Sequence, residues 1–307
     1  MIFVKRSFLI ILFIAITGFC HAQRSEVGAL MGASFYLGDL NSIPFRDAKF
    51  AGGLIYRYNF TPRVALKANI LFGKIAATDD KNHGIKKIRD ERGEFIIDEY
   101  GNYSYLWDYR DRKLSFSSPI SEISAQLELN FFNLYNVGHK NQISPYLFGG
   151  IAFFSFNPQA EYNGELFNLQ PIGTEGQGHF GGKEKKYALT GFAIPFGIGF
   201  KANIGKFVCV GAEWGLRFTF TDYLDDVGGL YYDFNNNETI PANSKEIIMN
   251  LADPTGNRPP NSQRYSTTKT DWYSFAGIII TVRIGNEDRI CDIKTNVKLR
   301  HKRKEKL

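Results

Sequence analysis

"KFVCVGAEWGLRFTF", residues 206–220, is the stretch whose reading decides the fold. Successive side chains of a β-strand point to opposite sides. On that rule Val208, Val210, Ala212, Trp214, Leu216, Phe218 and Phe220 share one face, and Cys209, Gly211, Glu213, Gly215, Arg217, Thr219 and Thr221 share the other. The first face suits hydrocarbon, whereas the second carries charge, hydroxyls and glycine.

The pattern recurs along the chain. Phe192, Ile194, Phe196, Ile198 and Phe200 alternate with Ala193, Pro195, Gly197, Gly199 and Lys201, where Pro195 cannot donate to a ladder and predicts a bulge or local irregularity. Ile123, Ala125, Leu127, Leu129 and Phe131 oppose Glu122, Ser124, Gln126, Glu128 and Asn130. In all, eight segments show this period: 24–37, 49–60, 62–73, 119–131, 143–155, 189–202, 206–220 and 271–284. Only the fifth, "SPYLFGGIAFFSF", is ambiguous in phase. Period-two segments of this length, weak singly and consistent in sum, are the mark of a transmembrane β-barrel.

The linkers sort by length in step with the strands. Those after the second, fourth and sixth segments are short, around "NFTP", "NLYNVGHKNQ" and "NIGK". Those after the first, third, fifth and seventh are longer, and three of these exceed thirty residues. Outer-membrane barrels place short turns in the periplasm and long loops outside. The even strand count and the loop parity together predict an all-β fold, an eight-stranded antiparallel outer-membrane barrel with both termini in the periplasm. A soluble sandwich also alternates, but it requires neither an even count nor loops sorted by length. Tyr56, Tyr58, Phe60, Phe131, Phe218, Phe220 and Trp272 lie near strand ends, where an interfacial aromatic girdle belongs.

The rest of the chain fits export. Lys5 and Arg6 precede an apolar run from Phe8 to Ile16 that ends at Cys20-His21-Ala22, which reads as a signal peptide over 1–22, with the barrel over 23–288 and a basic tail over 289–307. Phe19 before Cys20 argues against lipid attachment there. After Ala22 no run approaches the 18 apolar residues of a membrane helix. Cys209 and Cys291 are too few and too far apart for a disulfide framework. Much of the net charge of +6 sits in the tail, so the basic balance describes that segment more than a surface, and the compartment argues against nucleic acid.

In the assigned phase the lumen receives Glu26, Arg57, Lys67, Glu122, Glu128, Lys201, Glu213, Arg217 and Arg283. Four acids and five bases in so narrow an interior are expected to pair, since an unpaired buried charge is costly. Eight strands hold side chains and leave no wide channel. A filled scaffold is therefore expected, without excluding a small conductance.

Chemistry finds little support. His21, His83, His139, His179 and His301 stand apart with no catalytic or ligand spacing, no serine sits in a hydrolase elbow, and the glycines lack phosphate-loop order. No catalytic residue, cofactor, metal or small-molecule substrate is expected. The acidic cluster Asp222, Asp225 and Asp226 admits three readings: a calcium loop, a general-acid pair, or aspartates that meet water or organise the barrel rim. The stretch lacks the alternate ligands and closing glutamate of a calcium loop, and the rim reading is preferred.

Two segments suggest partner surfaces. Tyr100, Tyr103, Tyr105, Trp107 and Tyr109 crowd one long loop, as a contact patch or as packing over the barrel mouth. Lys294, Lys298, Arg300, Lys302, Arg303, Lys304 and Lys306 make the tail a solvated end or a docking segment for a periplasmic protein, lipid head groups or the cell wall.

"EVGALMGASFYLGDLN" (26–41), "PYLFGGIAFFSFNPQA" (145–160) and "GAEWGLRFTFTDYLDDVGG" (211–229) resemble the PorG-type, DUF6089 family of Bacteroidota outer-membrane proteins. The most specific pieces are Gly38, Asp39, Leu40 and Asn41, and Thr221, Asp222, Tyr223, Leu224, Asp225 and Asp226. The resemblance implies an accessory barrel of the type IX secretion system and, where present, of the gliding machinery. Its implied partners are outer-membrane lipids and a periplasmic ring built of a PorK-like lipoprotein and a PorN-like protein. A free surface barrel acting as adhesin or receptor, and a lipid-modifying enzyme, are the competing expectations.

Overall fold

The computed structural model describes residues 25–79, 112–132, 143–183, 185–205, 207–235, 237, 240–264 and 270–284. The leader, Tyr100, Tyr103, Tyr105, Trp107, Tyr109, His83, His139, Cys291, His301 and the basic tail from Lys294 to Lys306 lie outside the described residues.

Among the described residues, ten strands and two helices follow one another: β1 (Ser25–Leu37), β2 (Lys49–Asn59), β3 (Val64–Thr78), β4 (Ser115–Asn130), β5 (Ile143–Phe156), β6 (Gln159–Tyr162), β7 (Glu165–Asn168), α1 (Leu169–Ile172), β8 (Thr190–Ile204), β9 (Val208–Thr219), α2 (Ala242–Ala252) and β10 (Trp272–Ile284). Eight of the strands pair antiparallel in the order β3-β2-β1-β10-β9-β8-β5-β4, and the β3–β4 pairing closes the circle. The fold is a closed eight-stranded antiparallel barrel, and each wall strand answers one expected segment. β3 and β4 run past the expected ends, pairing Lys74–Thr78 with Ser115–Pro119. There Ile75, Ala76 and Ala77 are all buried, so the one-sided alternation that marks a wall strand fades.

Closure without an edge strand satisfies the ladder all round, which is what a sheet in hydrocarbon requires. The outer wall is apolar: Met31 is 62% exposed, Leu54 65%, Ile151 70% and Phe192 67%. So large an apolar belt on a folded surface has lipid as its fitting solvent. Among the described residues no helix is long and apolar enough to cross a membrane. Aromatic pairs mark both margins of the belt. Tyr58 meets Phe60 at 5.1 Å beside the short β2–β3 turn, and Phe218 meets Phe220 and Trp272 at 5.2 and 5.3 Å at the opposite end.

Pro195 interrupts the β8–β5 ladder without a bulge. Gly149 pairs with Phe196 and Ala152 with Ala193, a constant register on either side of a gap where proline has no N–H to donate. The break costs ladder bonds but leaves every side chain on its expected face.

The long-loop end carries a folded cap. β6 and β7 form a hairpin whose turn places Asn163 and Gly164 at φ of 50° and 84°, the left-handed pair that Asn-Gly supplies in tight hairpins. α2 lies in the loop between β9 and β10, with Leu251 in the same buried cluster as Leu40, Leu224 and Val227. The apolar upper lumen, with Tyr36, Phe116, Phe154 and Phe275, continues into this cluster.

Candidate functional site

The nine predicted charges all face the lumen, eight of them buried and Arg283 nearly so. Glu128 is their hub. Its carboxylate accepts from Arg57 Nε at 2.9 Å and from Lys201 Nζ at 2.7 Å, and lies 3.5 Å from Lys67 Nζ. Arg57 also reaches Glu26 at 2.7 Å, Lys67 pairs with Glu213, and Arg283 lies 3.7 Å from Glu26. Higher in the barrel Arg217 donates to Glu122 at 3.0 Å. The five cations thus share the four carboxylates, as low-polarity surroundings demand.

Several neutral partners complete the network. Tyr146 donates to Glu213 at 2.7 Å, Tyr273 to Glu122 at 2.9 Å, Thr281 to Glu26 at 2.8 Å and Asn59 to Glu26 at 3.1 Å. Tyr146 was hidden by the ambiguous phase of β5. Its even positions, Tyr146, Phe148, Ala152, Phe154 and Phe156, turn inward, while Leu147, Ile151 and Phe153 face out. Both faces are apolar because the upper lumen is itself aromatic. The eight expected segments omit the β6–β7 hairpin, although Asn163-Gly164 is a local turn signal for it.

The two motif segments meet in the cap. Asp225 and Asp226 are buried, so of the rim alternatives it is the organising one, not the solvated one, that the geometry supports. Asp226 accepts from Thr174 and from the Tyr187 hydroxyl, and Asp225 accepts from the Val227 N–H at 3.0 Å. Glu175 accepts from the N–H groups of Gly228 and Gly229, each at 2.9 Å. Arg264 donates to the Asp226 carbonyl at 2.9 Å and to Thr174 at 3.0 Å. Arg112 grips Asp79 with two bonds, at 2.6 and 3.1 Å, and donates to the Arg264 carbonyl at 2.5 Å.

Asn41 fixes the first loop by donating to the carbonyls of Tyr36 and Ile43, both at 3.0 Å. Leu40 fills the buried cluster beside Leu224. At Gly38 a Cβ would stand 2.0 Å from Asp271 Oδ1 and 2.2 Å from the Tyr36 hydroxyl, so only glycine fits. Thr221 accepts the Asp271 N–H through its carbonyl at 3.0 Å and the Tyr223 N–H through its hydroxyl at 3.2 Å. Tyr223 itself stacks on Tyr187 at 4.6 Å.

Below this lies an acidic knot. The Tyr36 hydroxyl accepts the Asp39 N–H at 2.7 Å and stands 2.6 Å from Asp225 Oδ2 and 2.7 Å from Asp271 Oδ1. It has one proton and can donate to one carboxylate at a time. Burial pushes the Asp39 carboxyl up to about 11, with the neighbouring Asp225 and Asp271 adding to the rise. Burial likewise lifts Asp225 and Asp222 to about 7 and Asp226 to about 6, and holds Asp271 well above the ordinary carboxylate range.

The lumen carboxylates are engaged by cations and hydroxyls. His179, in the cap, contacts the Ile172 carbonyl through Nε2 at 2.7 Å and stacks on Tyr232. Cys209 is buried in the wall and free.

Solved structures of similar fold include the N-terminal β-barrel domain of Pseudomonas aeruginosa OprF, at 10% identity and a TM-score of 0.35 over 86% of this chain and 100% of that one. The attachment invasion locus protein Ail of Yersinia pestis matches at 8% identity and 0.34 over 85% and 97%. The outer membrane protein OprG from Pseudomonas aeruginosa matches at 8% and 0.31 over 86% and 95%. No curated protein matches the sequence. The family model described as "Domain of unknown function (DUF6089)" matches residues 5–109 and 101–240, which together carry the first seven wall strands and both motif segments, and the chain belongs to that family.

Proposed function

We propose that this chain is an integral outer-membrane, non-enzymatic component of the type IX protein secretion system, and of the gliding machinery where present. In this reading it anchors or stabilises the periplasmic ring complex, with PorK-like and PorN-like proteins as partners and both termini in the periplasm. The observation that carries the reading is the occupied lumen. A barrel plugged by five cations, four carboxylates and the rings above them suits an anchor and not a route for proteins. The Gly38–Asn41 and Thr221–Asp226 segments, on which the resemblance is most specific, support the same assignment.

The deciding experiment is affinity purification of the chain after gentle detergent extraction. Recovery of the ring proteins, with loss of secretion of signal-bearing cargo on deletion, is the expected outcome. A deletion strain that secretes normally, together with a barrel that purifies alone, defeats the proposal. A surface adhesin or receptor would instead lose binding when its long loops are shortened, while secretion continued. The basic tail is assigned to docking on the ring, and truncation of residues 289–307 should lower the recovery of ring proteins.

A further inference from the structure

Three loop ends converge where sequence distance gives no hint of it. Asp39 follows β1, Asp222 follows β9, and Asp271 precedes β10. Those strands are consecutive neighbours in the barrel, with Leu37 paired to Trp272 and Trp272 to Phe218. The three carboxylates each bring an oxygen to within 4.8 Å of the others. Asp39 is only 2% exposed, and its Oδ2 has no hydrogen-bond partner among the described residues. Asp222 Oδ1 is a second buried oxygen in that condition.

Like charges brought this close repel, and a buried acceptor with no donor costs about 1–3 kcal/mol or more when charged. Arg112, the cation whose charge reaches Asp39, spends its hydrogen bonds on Asp79 and on the Arg264 carbonyl. Something positive must complete the cluster, either an ion or protons. Opposed ligands of calcium, at 2.3–2.6 Å from the ion, stand up to about 5 Å apart, which accommodates the observed spacing. The donors are all oxygen, with no imidazole or thiolate, which selects a hard cation. Magnesium holds its waters and wants a near-ideal octahedron, whereas calcium accepts irregular carboxylate sets completed by water.

We propose that Asp39, Asp222 and Asp271 form a calcium site that fastens the cap to the rim of the barrel, backed by Tyr36 and Asp225. The glycine at 38 is then part of the cradle, since a side chain there would occupy the space beside Asp271. Three protein carboxylates with water in the remaining positions match the weaker calcium modules of extracellular proteins, with Kd on the order of 10⁻⁴–10⁻³ M. This assignment stands apart from the secretion role and holds whichever partner the barrel has.

The test uses the full chain folded in detergent micelles and stripped with EDTA, with calcium chloride and magnesium chloride as probes. Calcium should give saturable heat in titration calorimetry and raise Tm by roughly 3–6 °C at ten times Kd. Asp39→Asn and Asp222→Asn should each weaken binding by at least about tenfold, while Asp253→Asn, at the C-terminal end of α2 and outside the cluster, should leave it intact. In EDTA at pH 8, Asp39→Asn should be more stable than the parent, because a neutral amide spares the folded chain the cost of burying an acid beside two other carboxylates. Terbium luminescence sensitised by Tyr36, displaced by calcium, gives an independent readout on the parent chain if a variant fails to fold. The proposal is overturned if calcium produces neither heat nor a Tm shift up to 10 mM. It is equally overturned if both aspartate variants keep the full response, if magnesium matches calcium, or if acidification alone stabilises the cap with no calcium response.

Discussion

Replacing Glu128 with glutamine tests whether the lumen is a dry, mutually dependent charge network. The side chain keeps its shape and loses one negative charge. Three cations are affected unequally. Arg57 retains Glu26 at 2.7 Å and Lys67 retains Glu213, but Lys201 loses the carboxylate it contacts at 2.7 Å. Two close charge-assisted bonds disappear, each worth about 1.5–3 kcal/mol, and part of the Arg57 loss is recovered from Glu26. The expected cost is therefore about 3–5 kcal/mol, the usual penalty for stranding one partner of a buried pair. Urea unfolding of the barrel in lipid vesicles, followed by tryptophan fluorescence and by heat-modifiable gel mobility, measures it. Lys201→Met in the same background should restore a large part, giving a coupling energy of about 1–3 kcal/mol in the double-mutant cycle. A loss under about 1 kcal/mol with no coupling would refute the reasoning, because it would mean that water in the lumen replaces the missing charge at little cost.

Gly38→Ala should destabilise the cap by about 1–3 kcal/mol through the clash at the Asp271 and Tyr36 oxygens, seen as faster proteolysis of the 220–271 segment while the barrel itself stays folded. In planar bilayers the chain should show no porin-sized conductance, and large stable steps would contradict the filled lumen. The raised carboxyls of Asp222, Asp225 and Asp226, near 7, 7 and 6 against an ordinary 3.8, make the folded cap bind more protons than the unfolded chain. The stability they contribute is full below about pH 4 and is lost as the pH rises through 6 to 7, so in EDTA the cap should melt earlier at pH 8 than at pH 5.

How legible each part was follows from how far apart its determinants lie. Strand parity is a local property: Glu213 and Arg217 share the inward face with Gly215 because side chains alternate, whatever the rest of the chain does. That is why eight wall strands, their lipid face and all nine lumen charges could be read from the sequence alone. It was silent where the contrast between the faces vanished, as in β5, with Tyr146 and Phe154 inside and Ile151 and Phe153 outside, and past Lys74 in β3; at Pro195 the expected irregularity is a break in the ladder that leaves the register and the faces unchanged.

Partnership was a different matter. Parity placed Glu128 inside, but only the closed circle put it against Arg57, Lys67 and Lys201 from three other strands. The motif residues 38–41 and 221–226 looked like two unrelated loop starts. Pairing of the first strand with the last brought Asp271 between them, and the cap folded over their carboxylates. The sequence by itself determined which side of the wall each residue faces, since that depends on neighbours two positions away. The tertiary structure alone decided which charges meet, since that depends on barrel closure joining residues more than two hundred positions apart.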